Sequence, residues 1–233
     1  MNEGPERRFD PHSRSLLTVR DLPRFSGDSL FDRIGRAVCS AECLPRKELF
    51  ESWEVARRAR RKLRGGRVLD LAGGHGLTAR LALVLDATSE SAVVVDRRIP
   101  KSAQTLADAL DESFPRLSGR VELRESDLDA VEVARGDLVL AVHACGALTD
   151  AVIDRVVGAG ARLAALPCCH DTSTCDTGGL DAWLDVGTAI DAVRATRLRA
   201  SGFTVKLERI PATITPKNRL ILAWPDSPGL GAA

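Results

Sequence analysis

Two short stretches hold most of the residues capable of chemistry: HACG at 143–146 and LPCCH at 166–170. Each follows a run of small or branched apolar residues, so each is expected where a buried strand ends. A disulfide between Cys168 and Cys169 is disfavoured, because adjacent α-carbons sit about 3.8 Å apart and bridges want roughly 4.4 Å or more. That leaves a metal site, a reactive centre or a pocket wall. Thiolates and imidazoles suit zinc, but these spacings lack the C-x₂-C pairs of structural zinc modules. The expectation is therefore no metal. Cys145, Cys168 and Cys169 would form compact, polarizable packing in a substrate-binding wall. His143 and His170 are the candidate catalytic groups, since imidazole can take up a proton near neutrality, and His170 is expected at the pocket mouth.

A third stretch, VLDLAGGHGL at 68–77, puts a carboxylate at the end of a strand and glycines in the turn that follows. Glycines let a ligand approach the backbone, and the next helix offers unpaired amides. Read from Gly74, the pattern G-x-G-x-x-A (Gly74, Gly76, Ala79) with Asp96 further on has dinucleotide spacing, which leaves NAD and a dehydrogenase open. Asp70 weighs against that reading. Its charge would repel a pyrophosphate but attract the ammonium of a bound amino acid. His75, within the turn, is expected to anchor backbone.

The elements that must position these residues alternate. Strand-like runs at 67–72, 91–96, 120–125, 137–144 and 161–167 are interleaved with helical patterns at 77–85, 102–110, 149–157 and 184–200. Short buried strands alternating with amphipathic helices specify a doubly wound parallel sheet. The last two runs, FTVKLERI and NRLILAW, are too close for a crossover helix, so they should pair antiparallel. Ahead of the sheet lie two expected helices, one capped by Asp28 and one running from Pro45 to Leu63. The organisation expected is a poorly ordered or loosely docked segment over 1–25, a helical extension over 26–65, a catalytic domain over 66–226 and a tail over 227–233. Thr149 is the expected cap of the helix after HACG, with Asp150 favouring its N-terminus. Cys39 and Cys43, four apart on the first helix, read as small buried residues.

The acidic-x-(Ala/Gly)-Gly-Gly-x-Gly turn and the reversed last strand resemble class I S-adenosylmethionine-dependent methyltransferases, with Ala72 in place of the first glycine and Gly73 additional. The implied fold is α/β: a Rossmann-like, doubly wound seven-stranded sheet whose last strand is antiparallel. The resemblance implies a cofactor site made by Asp70, Ala72, Gly73, Gly74, Gly76, Asp96, Arg97, Asp127, Leu128 and His143. Within it, Asp96 would hold the ribose hydroxyls and Asp127 the adenine amino group. HACGALTD and PCCH resemble a narrower branch marked by H-x-C-G followed by T-D and by Pro-Cys-Cys. It includes tRNA ribose methyltransferases and the methyltransferase domain of the glutathione S-transferase C-terminal domain-containing protein. TPKNRLIL resembles the branch's entry to the last strand and adds Asn218 to the substrate side.

Composition narrows the partners little. A net charge of +1 excludes a polybasic protein, and 44% hydrophobic residues can fill a core. No apolar run approaches the roughly 20 residues a bilayer span needs. The polar start and unpaired thiols point to the cytoplasm. The run Arg57, Arg58, Arg60, Arg61, Lys62, Arg64 and Arg67 hints at RNA as acceptor, with protein next and a small metabolite last. A binding module that keeps the fold without catalysis is the other reading.

Overall fold

A computed structural model describes residues 9–226, so the tail expected over 227–233 lies outside the described residues. Two helices come first, α1 (Leu30–Ala41) and α2 (Arg46–Ala59). There follow β1 (Val68–Leu71), α3 (Leu77–Leu85), β2 (Ala92–Asp96), α4 (Ala103–Ser113) and β3 (Val121–Glu125). The second half comprises β4 (Leu138–Ala141), α5 (Ala147–Ala159), β5 (Arg162–Ala165), α6 (Val186–Ala200), β6 (Phe203–Arg209) and β7 (Arg219–Pro225). The seven strands are ordered β3-β2-β1-β4-β5-β7-β6, with β7 antiparallel to both neighbours and the first five parallel. The chain reverses its winding direction between β1 and β4. In such sheets the crevice beyond the strands' carboxyl ends opens at that point.

Strand alternation assigns the two faces. Val68, Val94, Leu138 and Leu140 belong to the core under α1 to α4, whereas Leu69, Leu71, Val95, Val139 and Ala141 belong to the core on the α5 side. Asp70, between Leu69 and Leu71, therefore points with Val68 toward α2 and α3. Strands this short are held because both faces are covered and almost every residue is buried.

Several sequence expectations are corrected. Residues 9–25 are docked rather than loose: Leu17 and Phe25 are buried, and Phe9, Phe25, Phe31, Phe50 and Trp53 form one chain of ring contacts with centroids 5.1–6.2 Å apart. Residues 1–8 lie outside the described residues. The first helix is capped by Ser29, whose hydroxyl accepts from Asp32 N–H at 3.1 Å, and not by Asp28. Beyond Ala41 the backbone turns left-handed at Glu42, so Cys43 is off the helix while Cys39 is buried on it. α2 ends at Ala59, although Leu63 N–H still donates to Ala59 O at 2.8 Å. α5 starts two residues before Thr149, which instead donates its hydroxyl to Ala144 O, and Asp150 accepts from Arg194.

Candidate active site

The site lies beyond β1, β2 and β4. Asp70 is fully enclosed. Its Oδ2 accepts from Ala79 N–H at 3.1 Å, and its Oδ1 is buried with no partner. Burial pushes its carboxyl up to about 7, against the pull of the Ala79 amide. A buried carboxylate oxygen without a partner costs free energy unless a cationic ligand supplies one. Asp70, Ala72, Gly73, His75, Thr78 and His143 line a narrow recess of about 30 Å³.

The turn after β1 is shaped by packing. A β-carbon on Gly73 would stand 2.7 Å from Asp70 Cγ, and one on Gly76 would stand 2.6 Å from Val94 Cγ2. Gly74 and Gly76 adopt positive φ, as does Ala72 at 59°. Ala72 thus takes up a left-handed conformation that favours glycine and bears its cost. Asp96 holds the turn by accepting from Gly74 N–H at 3.1 Å, and it also accepts from Arg98 N–H at 3.2 Å. His75 Nε2 lies 2.9 Å from Ser102 Oγ, and burial lowers its pKa.

Ala72 also lines a second, larger cleft of about 370 Å³ with Asp96, Arg97, Ser126, Asp127, Leu128, Leu148 and Ala151. Its lining combines carboxylates with apolar side chains, a composition suited to a nucleoside with ribose hydroxyls and a flat base. Asp127 is on the rim: its carboxylate is 67% exposed and accepts from Arg97 Nε at 2.7 Å.

His143 stands after β4 with its side chain 37% exposed, and its Nε2 is 3.3 Å from Oε2 of buried Glu51 on α2. Burial raises the Glu51 carboxyl, but His143 and Lys47 outweigh it and hold its pKa below the ordinary value. Burial raises Glu48, also on this wall. Glu48, Glu51 and Ser52 were not anticipated as site residues. Their signal was a pair of carboxylates on a helix face next to Leu49 and Val55, both fully buried. Carboxylates seldom occupy such positions without a partner.

The remaining expectations fare differently. His170 is not at a mouth: its side chain is 3% exposed, and its Nε2 lies 3.0 Å from both oxygens of Asp191, which also accepts from Arg219 Nε at 2.7 Å. It belongs to a buried ion-pair network under α6. Asn218 is buried. It donates to Ile210 O at 2.9 Å and closes the β6–β7 connection. Cys145 and Cys169 are exposed and Cys168 is half-buried. The basic run is largely neutralised: Arg57 pairs with Glu54, Arg58 with Glu54 and Glu208, Arg64 with Asp86, and Arg67 with Asp137. Arg67 and Asp137 adjoin the first residues of β1 and β4, the end of the sheet opposite the site.

A model of the family described as a methyltransferase domain matches residues 48–175, more than half of the chain and all of the site just described. The chain belongs to this methyltransferase family. Its activity is methyl transfer and its donor is S-adenosylmethionine. The matched segment opens on Glu48, within α2, which makes that helix part of the family's unit. No curated protein matches the chain. Among solved structures, a proposed rRNA methylase from Clostridium thermocellum aligns with a TM-score of 0.53 at 12% identity, over 76% of this chain and 96% of that one. A proposed O-methyltransferase from Nostoc punctiforme aligns at 0.50 and 14%, over 88% of this chain and 67% of that one. An O-methyltransferase family protein from Burkholderia thailandensis aligns at 0.49 and 20% over 89% of this chain, which spans only 63% of its length. At these identities the likeness is one of fold. No helix among the described residues is long and apolar enough to cross a membrane.

Proposed function

We propose that the chain methylates a hydroxyl of an RNA acceptor. The observation that carries this reading is the imidazole of His143 beside buried Glu51, half-open to solvent next to the Asp70 recess. A hydroxyl is a poor nucleophile until its proton is taken, and an imidazole backed by a carboxylate is suited to taking it. When bound, S-adenosylmethionine supplies an electrophilic methyl group on a sulfonium. The chain's own part is to hold both reactants and to receive the proton. Asp70 Oδ1 would accept from the donor's ammonium and Asp96 from its ribose hydroxyls, with Leu128, Leu148 and Ala72 against the base. His143 would accept the acceptor's proton while Glu51 stabilises the resulting imidazolium. Arg97 and Asp127, already paired at the rim, would close over the nucleoside edge.

A macromolecular acceptor is supported by the open approach. Trp183, 86% exposed, and Leu184 lie in the loop between β5 and α6, at the same carboxyl end of the sheet as His143. An exposed indole is a platform on which an unpaired base can stack. The H-x-C-G and Pro-Cys-Cys motifs, like those of tRNA ribose methyltransferases, support the same class. The electrostatic contribution rests on the exposed Arg60, Arg61 and Lys62 rather than on the whole basic run. Six free thiols suit a reducing cytoplasm.

The test is transfer of labelled methyl groups to separated RNA, protein and metabolite pools. Label is expected in RNA and, after nuclease digestion, on a ribose hydroxyl. Label confined to protein or metabolites overturns the acceptor assignment while leaving the donor intact.

A further inference from the structure

Three thiols converge where β4 and β5 end. Cys145 Sγ lies 3.0 Å from Cys168 Sγ, Cys168 Sγ lies 3.7 Å from Cys169 Sγ, and all three sulfurs fall within 4.8 Å of one another. The two loops are tied by Gly146 N–H donating to Cys169 O at 3.2 Å. Cys145 is one residue before Gly146, the N-cap of α5, and its carbonyl oxygen accepts from Leu148 N–H at 3.1 Å.

As thiols the three sulfurs share only weak S–H···S contacts. One disulfide cannot use an odd number of sulfurs, and neighbouring Cys168 and Cys169 are poorly placed to form one. A divalent cation reverses the electrostatics, because it turns mutual repulsion among thiolates into shared attraction.

We infer that Cys145, Cys168 and Cys169 form a binding site for one thiophilic cation of the zinc class, with its fourth position open to solvent. Zinc–sulfur bonds of about 2.3 Å in a tetrahedron space the sulfurs by roughly 3.8 Å, and the Cys168–Cys169 separation already fits. Cys145 has to withdraw by less than about 1 Å, and the adjoining Gly146, at φ 57° and ψ −134°, leaves its loop free of side-chain hindrance. Three protein ligands with one open position are the arrangement of zinc sites that bind a further ligand atom, in contrast to closed four-ligand structural sites. The ion would stand two residues beyond His143, on the side from which an acceptor approaches. The site does not depend on the acceptor assigned above, since its occupancy is read without donor or acceptor.

The test uses full-length protein without a histidine tag, fully reduced, stripped of metal and titrated with zinc against a chromophoric chelator. One equivalent per chain is expected for wild type and for Cys175→Ser, whose thiol is buried against Arg194. Cys145→Ser, Cys168→Ser and Cys169→Ser should each bind at least about 100-fold more weakly. Cobalt in place of zinc should give a sulfur-to-metal charge-transfer band that these three variants lose. In wild type, zinc should also slow alkylation of Cys145 and Cys169, a readout that needs no variant to fold. Absence of stoichiometric uptake, alkylation unaffected by zinc, or binding that survives all three substitutions would overturn the site.

Discussion

Replacing Asp70 with Asn should make the unliganded protein more stable and unable to hold its donor. The folded carboxyl titrates at about 7 against an ordinary 3.8. At about 1.36 kcal/mol per pH unit, that difference corresponds to at most about 4 kcal/mol. Because the folded value is raised, the wild-type contribution is intact below pH 3.8 and is lost as pH climbs toward 7. Asn has no such dependence and fits the same space. Wild type and Asp70→Asn should therefore have similar stability near pH 4 and diverge progressively, until the variant melts roughly 8–16 °C higher at pH 8. Denaturant titrations at half-unit pH steps isolate the effect, since every other titrating group is common to both proteins. Calorimetry with S-adenosylhomocysteine gives the second half: affinity in wild type should rise with pH up to about 7, as the ionised carboxylate meets the ligand's ammonium, and should be lost in the variant. Parallel stability profiles, or undiminished binding by Asp70→Asn, would refute the assignment of that buried oxygen to an ammonium.

Ala72→Gly should stabilise the protein by about 1 kcal/mol, because it relieves a left-handed backbone at an alanine; a shift in the denaturant midpoint reads it. Asp96→Ala should abolish most of the rise in melting temperature that S-adenosylhomocysteine produces in wild type, with NAD giving none in either protein. His143→Ala and Glu51→Gln should lower kcat by 10²-fold or more while leaving donor affinity nearly unchanged, and steady-state kinetics beside calorimetry separate the two quantities. Asp191→Ala leaves Arg194, Arg219 and His170 without their shared buried carboxylate and should cost about 3–5 kcal/mol. Burial opposes the lowering of the Asp191 pKa but His170 and Arg219 prevail, so its stabilising contribution holds above pH 3.8 and fades as acid protonates it.

The doubly wound parallel sheet and the reversed last strand were legible because strand pattern and loop length are local properties: strands alternating with helices, and one short final link, permit few arrangements. The placement of Asp70, the glycine turn and Asp96 at the carboxyl ends of β1 and β2 was legible because apolar strand runs and glycine turns mark those ends locally. Long-range pairing was not legible. His170 is withdrawn from the mouth by Asp191, 21 residues away, and nothing in PCCH forecasts that partner. The basic run looked like one patch because sequence proximity hides the carboxylates of Glu54, Asp86, Asp137 and Glu208 that neutralise it. Glu51 became a site residue only once α2 was laid against the end of β4. The docking of residues 9–25 depends on five aromatic rings spread between Phe9 and Trp53, none of which forms a pattern with its immediate neighbours.

The place of β7 governs how this chain can be completed. It is the last strand made, yet it sits between β5 and β6, and both bond to it alone on those sides. During synthesis the parallel strands can assemble up to β5 and then present an unpaired edge of Leu163, Ala164 and Ala165, while β6 has no partner until residues 219–225 have emerged. An open apolar edge is a template for strands of other chains. The sheet therefore stays open between β5 and β6 until residues 219–225 have emerged. A nonsense codon between Arg209 and Arg219 should yield two exposed sheet edges and an aggregating product, even though every residue of the donor site has already been made.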